Sequence, residues 1–98
     1  MSIFNLFGPS IKYSQIPHPI PDLDIKRLVS QIHINTLTQD EANIAEEAVL
    51  KMKHDGKLSL QHIYEALHSL FNKHKISRND QDGMMNLFVN YYKEHFGE

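Results

Sequence analysis

Ninety-eight residues, 41% hydrophobic and 22% charged, suffice for one small domain with a single core and are too well mixed for a wholly disordered chain. A formal charge of −2 gives no electrostatic case for nucleic acid, and no run approaches the ~20 apolar residues of a membrane span. The absence of cysteine excludes disulfides, thiolate metal ligands and thiol catalysis.

The chain opens with Met1-Ser2-Ile3-Phe4-Asn5-Leu6-Phe7-Gly8-Pro9, apolar but without a basic flank and too short in its apolar run for a signal peptide. A soluble, cytoplasmic protein is the default expectation. All four prolines (Pro9, Pro17, Pro19 and Pro21) fall within the first 21 residues. Each fixes its own φ and biases its predecessor away from helix, so residues 1–21 read as an extended arm before a single helical domain over 22–98. The arm also carries Ile3, Phe4, Leu6, Phe7, Ile11 and Tyr13, too much apolar surface to stay in water. It either lies across the chain's own helices or docks on a partner or a second copy.

Four helices follow. The first is predicted over Asp22–His33, capped by Asp22, with Ile25, Leu28, Val29 and Ile32 on its inner stripe. The second opens at Thr38-Gln39-Asp40-Glu41, where the hydroxyl and the Glu41 carboxylate can form a reciprocal capping box. Ile44, Ala45, Ala48, Val49 and Met52 are its expected inner face. At the corner Lys53-His54-Asp55-Gly56-Lys57-Leu58-Ser59, Gly56 supplies a left-handed conformation to end that helix and Ser59 caps the next. Leu58 and Ile63 are spaced as a hydrophobic staple. The third helix runs over Leu60–His74 with Ile63, Leu67, Leu70 and Phe71 inward. The fourth starts at Ser77, with Asp80 three residues on. Its apolar arc of Met84, Met85, Leu87, Phe88, Val89, Tyr91, Tyr92 and Phe96 leaves only a narrow polar stripe, Asp82, Asn86, Asn90, Lys93 and Glu94. No strand pattern competes, and the short links favour a compact all-α four-helix domain.

Helix, Asp55-Gly56-Lys57-Leu58, helix resembles the middle of an EF-hand, over about thirty residues. The resemblance implies a sharp turn at the glycine and an aliphatic residue packed between paired loops. With Gly56 as loop position six, positions one, three and twelve become Lys51, Lys53 and His62. Calcium takes six to eight oxygens, normally with a bidentate carboxylate at the last position, so no calcium is expected here. A second frame around Asp82-Gly83 places Arg78, Asp80, Asp82 and Val89 at positions one, three, five and twelve, again without the final carboxylate. Asp80 and Asp82 are better read as first-turn acids.

Seven histidines invite a metal. His62, Glu65 and His68 share the third helix with His74 beyond, and Glu65-Ala66-Leu67-His68 has the Glu-x-x-His spacing of di-iron bundles. Those bundles need two such motifs and two more glutamates. One copy on a polar face supports no metal site and no cofactor. Catalysis has less support, since Glu46-Glu47 point about 100° apart on a helix and there is no phosphate loop, nucleophile elbow or triad spacing. The chain is not expected to be an enzyme. Lys51, Lys53, His54 and Lys57, and Lys73, His74, Lys75 and Arg78, gather at helix C-termini, where the dipole explains them without nucleic acid. The Leu60-Gln61-His62 start of the third helix is thin for reading DNA.

What remains is a small protein-binding or regulatory module, engaging another protein or itself as a homodimer. Small helical adaptors, antitoxins and immunity proteins share this size and acidity, an analogy of class and not of motif. Aromatics and methionine are enriched at interface centres. The expected binding residues are therefore Met84, Phe88, Tyr91, Tyr92 and Phe96, with Phe4 and Phe7 as a second patch. The plainer alternative is that arm and fourth helix cover each other. A second functional reading is a degenerate EF-hand-like or histidine-based protein that responds to divalent metal, which calcium or zinc would stabilise.

Overall fold

The computed structural model describes residues 11–30 and 34–98. Along them run β1 (His18–Pro19), α1 (Asp22–Leu28), α2 (Gln39–Lys51), β2 (Lys57–Leu58), α3 (Leu60–Asn72) and α4 (Arg78–Phe96). This is the all-α architecture that the periodicity predicts. α3 packs against both α2 and α4, while α1 contacts α2 and α4. Ile25, Val49, Leu58, Ile63, Leu67, Met84, Phe88 and Tyr92 lie at the centre, nearly or wholly removed from solvent.

The helix starts are set locally. Thr38 Oγ1 accepts from the Glu41 N–H at 3.2 Å, and Glu41 Oε1 accepts from the Thr38 N–H at 2.9 Å. Ser77 and Asp80 repeat the box, with Ser77 Oγ accepting at 3.0 Å and Asp80 Oδ2 at 3.3 Å. Ser59 Oγ accepts from the His62 N–H at 3.0 Å. Each pairing satisfies amides that a helix N-terminus leaves orphaned.

The first helix differs from expectation. Pro21, not Asp22, holds the cap position, and no side chain caps it. The helix stops at Leu28, and the remainder of its expected span, residues 31–33, lies outside the described residues. Its last turn tightens, with the Ser30 N–H bonding the Arg27 carbonyl. Ile34 and Leu37 are then buried, at 6% and 3% exposure. α3 likewise ends two residues early. His74 adopts φ +60°, and the Lys75 and His74 amides bond the Leu70 and Phe71 carbonyls at 2.8 and 3.0 Å. That is a Schellman end, with histidine where glycine is usual.

The corner holds two corrections. Gly56 is left-handed, at φ +76°, but Asp55 is too, at φ +54°. The His54 and Lys57 backbones exchange both hydrogen bonds at 3.0 Å. Two positive φ values inside a two-residue loop define a type I′ hairpin, so Gly56 turns a hairpin while Met52 caps α2. The hairpin then continues into β2, which pairs antiparallel with the arm, His18 opposite Leu58 and Pro19 opposite Lys57. A two-residue strand containing proline carries no period-2 signal, so the pattern passed over it.

No calcium loop is formed. The turn is closed by its own backbone, Lys51 ends α2, and Asp82-Gly83 lie inside α4. A Cβ at Gly83 would stand 3.4 Å from Ile34 Cγ1, so that glycine accommodates a close neighbour. Leu58 is fully buried, as the EF-hand resemblance implies, and the arm's strand takes the place of a second loop.

The described part of the arm, residues 11–21, lies on the chain's own helices. Ile20 is 1% exposed. Gln61 Oε1 accepts from the Lys12 and Tyr13 amides at 3.0 and 3.1 Å, and the Gln61 N–H donates to Ser14 O at 3.0 Å. Lys53 Nζ donates to the Ile20 carbonyl at 2.7 Å and to Asp22 Oδ1 at 2.6 Å. His18 pairs with the Glu98 carboxylate, 80 positions away in the sequence.

Candidate interaction groove

α2 turns Ala42, Ala45 and Val49 into the core, so Ala45 and Val49 of the predicted inner face are buried while Ile44 is not. Ile44 is instead 37% exposed. It lines a groove between α2 and α3 of about 380 Å³. The floor is Ile44, Ala48, Met52, Ala66 and Leu70, and the rim carries Glu47, Lys51, Glu65, Ser69 and Lys73. Ala48 of α2 and Ala66 of α3 both line it, and neither side chain is long enough to fill it. The result is an apolar trough with both signs of charge on its banks, the form in which an amphipathic segment is held.

The predicted binding residues lie elsewhere. Met84, Phe88 and Tyr92 are 0% exposed. The Tyr92 hydroxyl donates to the Leu58 carbonyl at 2.7 Å. Tyr91 and Phe96 are half-buried. The Tyr91 hydroxyl donates to Asp24 Oδ2 at 2.6 Å and its ring stacks on His95 at 3.9 Å. Phe96 stacks on the His18 ring at 4.3 Å, only 6° from parallel. α1 and the arm thus cover much of the wide apolar arc of α4. Phe4 and Phe7 lie outside the described residues.

Burial, the hydrogen bond to Asp24 and the negative charge of that carboxylate push the Tyr91 hydroxyl up to about 12, against a smaller pull from Arg27. Burial, followed by the Glu98 and Tyr91 charges, raises Tyr92 further. Both effects disfavour a phenolate, and neither prepares a catalytic base. No family model, curated protein or solved structure matches this chain. Any reading of function therefore rests on this geometry.

The histidine row does not converge. His62 is exposed, Glu65 Oε2 accepts from Gln61 Nε2 at 3.0 Å, and His68 Nδ1 meets Gln81 Nε2 at 3.1 Å. Among the described residues no three histidine, aspartate or glutamate side chains come together as a metal needs.

The sequence pattern gives Ile44 the wrong side of its helix and assigns no structural role to Gln61. Gln61 is 1% exposed, a polar side chain held in the core beneath the arm. One signal was available. Gln61, Tyr64 and His68 recur at helical spacing, a second semi-apolar row that something must cover.

Proposed function

We propose that this chain is a small non-enzymatic protein-binding module, and that it holds a short amphipathic helix of its partner in the α2–α3 groove. The apolar floor, with the short side chains of Ala48 and Ala66 and the exposed Ile44, carries this reading. Apolar contact along the floor supplies affinity. Glu47 and Glu65 against Lys51 and Lys73 select a partner helix whose flanking charges are also of both signs. A metal-responsive role draws no support from His62, Glu65 and His68, which are separately placed.

A photo-reactive benzoylphenylalanine at Ile44, expressed in the native cell, tests the reading. The expected result is an adduct to one discrete protein, lost in Ala48→Arg and missing when the probe stands at exposed Asn90. With the purified partner, Ile44→Ala should weaken binding about tenfold, the equivalent of about 1.4 kcal/mol. Adducts to nothing at Ile44 would sink the proposal, and adducts only to a second copy would replace it with a homodimer.

A further inference from the structure

The two walls of the groove repeat one another. Glu47, Ala48 and Met52 of α2 line it, and 18 positions further on Glu65, Ala66 and Leu70 of α3 line it too. The residue after each alanine, Val49 and Leu67, is wholly buried. Both helices therefore offer a Glu-Ala pair and a following Met or Leu to the same trough.

The charges on each wall run in the same order along the helix. Glu47 stands one turn before Lys51, and Glu65 two turns before Lys73. The side chains of Glu47, Lys51 and Lys73 form no ion pair or hydrogen bond with another described residue. A twofold axis perpendicular to a helix sets that helix antiparallel to its own copy. A wall that begins with glutamate and ends with lysine then meets its copy glutamate to lysine, whereas a parallel copy would set like charges together. The midpoint between Glu47 and Lys51 is Val49, and that between Glu65 and Lys73 is Ser69. The groove itself spans residues 44–52 and 65–73, so its middle lies at Ala48 and Ser69. These positions agree to within one residue, about 1.5 Å of helix, and one axis across the middle of the groove satisfies both walls. Ala48 and Ser69 stand nearest that axis, where short side chains let two helix pairs approach closely.

We propose that a second copy of the chain covers the α2–α3 face about this axis whenever no partner helix does, with Glu47 of each copy against Lys51 of the other and Glu65 against Lys73. This rests on the groove reading above, and it makes partner and second copy rivals for one floor. Two 13-residue helices side by side present a face of roughly 20 by 20 Å, about half the ~800 Å² per partner of a stable interface. The dimer is therefore weak, forms at high concentration and yields to a partner. Apolar contact from Ile44, Met52 and Leu70 supplies its affinity, and the rim charges set its register.

Sedimentation velocity of the full chain, from micromolar to millimolar concentration, should show monomer giving way to dimer. Glu47→Lys sets lysine against lysine twice across the axis, and Lys51→Glu sets glutamate against glutamate twice. Each should raise the dimer dissociation constant about tenfold, while circular dichroism shows an unchanged fold, since both sites are exposed. An equimolar mixture of the two variants should recover wild-type association, because every α2 contact across the axis is again lysine to glutamate. A change acting within one helix would not be rescued by mixing. A wild type that stays monomeric at millimolar concentration, variants that associate like wild type, or a mixture that recovers nothing overturns the proposal.

The two readings fail separately. A foreign adduct at Ile44 from a chain that stays monomeric leaves the docking surface standing and removes its second copy. Recovery on mixing, with Ile44 adducts to the chain itself alone, keeps the dimer and removes the foreign helix.

Discussion

Gln61 fastens the arm with one carbonyl oxygen that accepts two amides 3.0 and 3.1 Å away. Replacing it with leucine keeps the bulk and strands both donors. A half-buried amide left unpaired costs about 1–3 kcal/mol, so Gln61→Leu should lower the urea midpoint by an amount in that range. An unchanged midpoint would mean that the arm is held by its apolar contacts alone. The Gln61, Tyr64, His68 row shows in the sequence that something covers this face, but not what, because the covering segment arrives from far away along the chain. The tyrosines give a second test at this scale. A phenol raised from 10 to about 12 in the fold keeps its proton while the unfolded chain loses one. Stability from Tyr91 is therefore fully present below pH 10 and falls between pH 10 and 12. Tyr91→Phe should flatten that fall in denaturation curves taken at pH 9 and 11. Tyrosinate absorbance of the wild type should meanwhile show the Tyr91 and Tyr92 phenols titrating late.

Elements were legible where their instructions are local. The Thr38–Glu41 and Ser77–Asp80 boxes bring their partners within one turn, and both form as the spacing predicts. The Asp-Gly hairpin was equally local, since two residues with positive φ are its signature, yet the flanking helices drew attention to a helix cap. The end of α1 and the outward face of Ile44 were not local. They depend on Ile34 and Leu37 closing over the core and on which side of α2 meets α3. The left-handed ends can be tested directly. His74 holds φ +60°, a conformation that a residue with a Cβ adopts at a cost of about 1 kcal/mol. His74→Gly should raise the denaturation midpoint by somewhat less than that, because glycine also gains freedom in the unfolded chain. Gly56→Ala should do the opposite. Its Cβ would meet nothing within 4 Å, so any loss measured there, about 1 kcal/mol, is backbone conformation and not crowding. A stabilised Gly56→Ala would show that the hairpin can reshape freely.

At the scale of the whole molecule the described part of the arm is structure. Between Lys12 and Pro21 it supplies a strand to β2, a wholly buried Ile20, the acceptor for Lys53 and the ring that stacks on Phe96. Losing Ile20 alone removes about 1.5–3 kcal/mol of burial, and Gln61 left without the arm adds about 1–3 kcal/mol. A domain of this length has a total stability of about 5–15 kcal/mol. A chain lacking residues 1–20 should therefore sit close to the edge of folding, with a broad early transition by circular dichroism and aggregation by light scattering. A chain lacking only residues 1–10 keeps every contact described for the arm, and its transition should stay cooperative and near the wild-type midpoint. The pair of deletions separates the two halves of the arm because the contacts of the first are absent from the second. Equal melting of the two would place the structural boundary elsewhere. If the longer deletion were a well-folded monomer, β1 and Ile20 would be ornaments on a core that stands without them. The helices alone would then have to account for the stability of the fold.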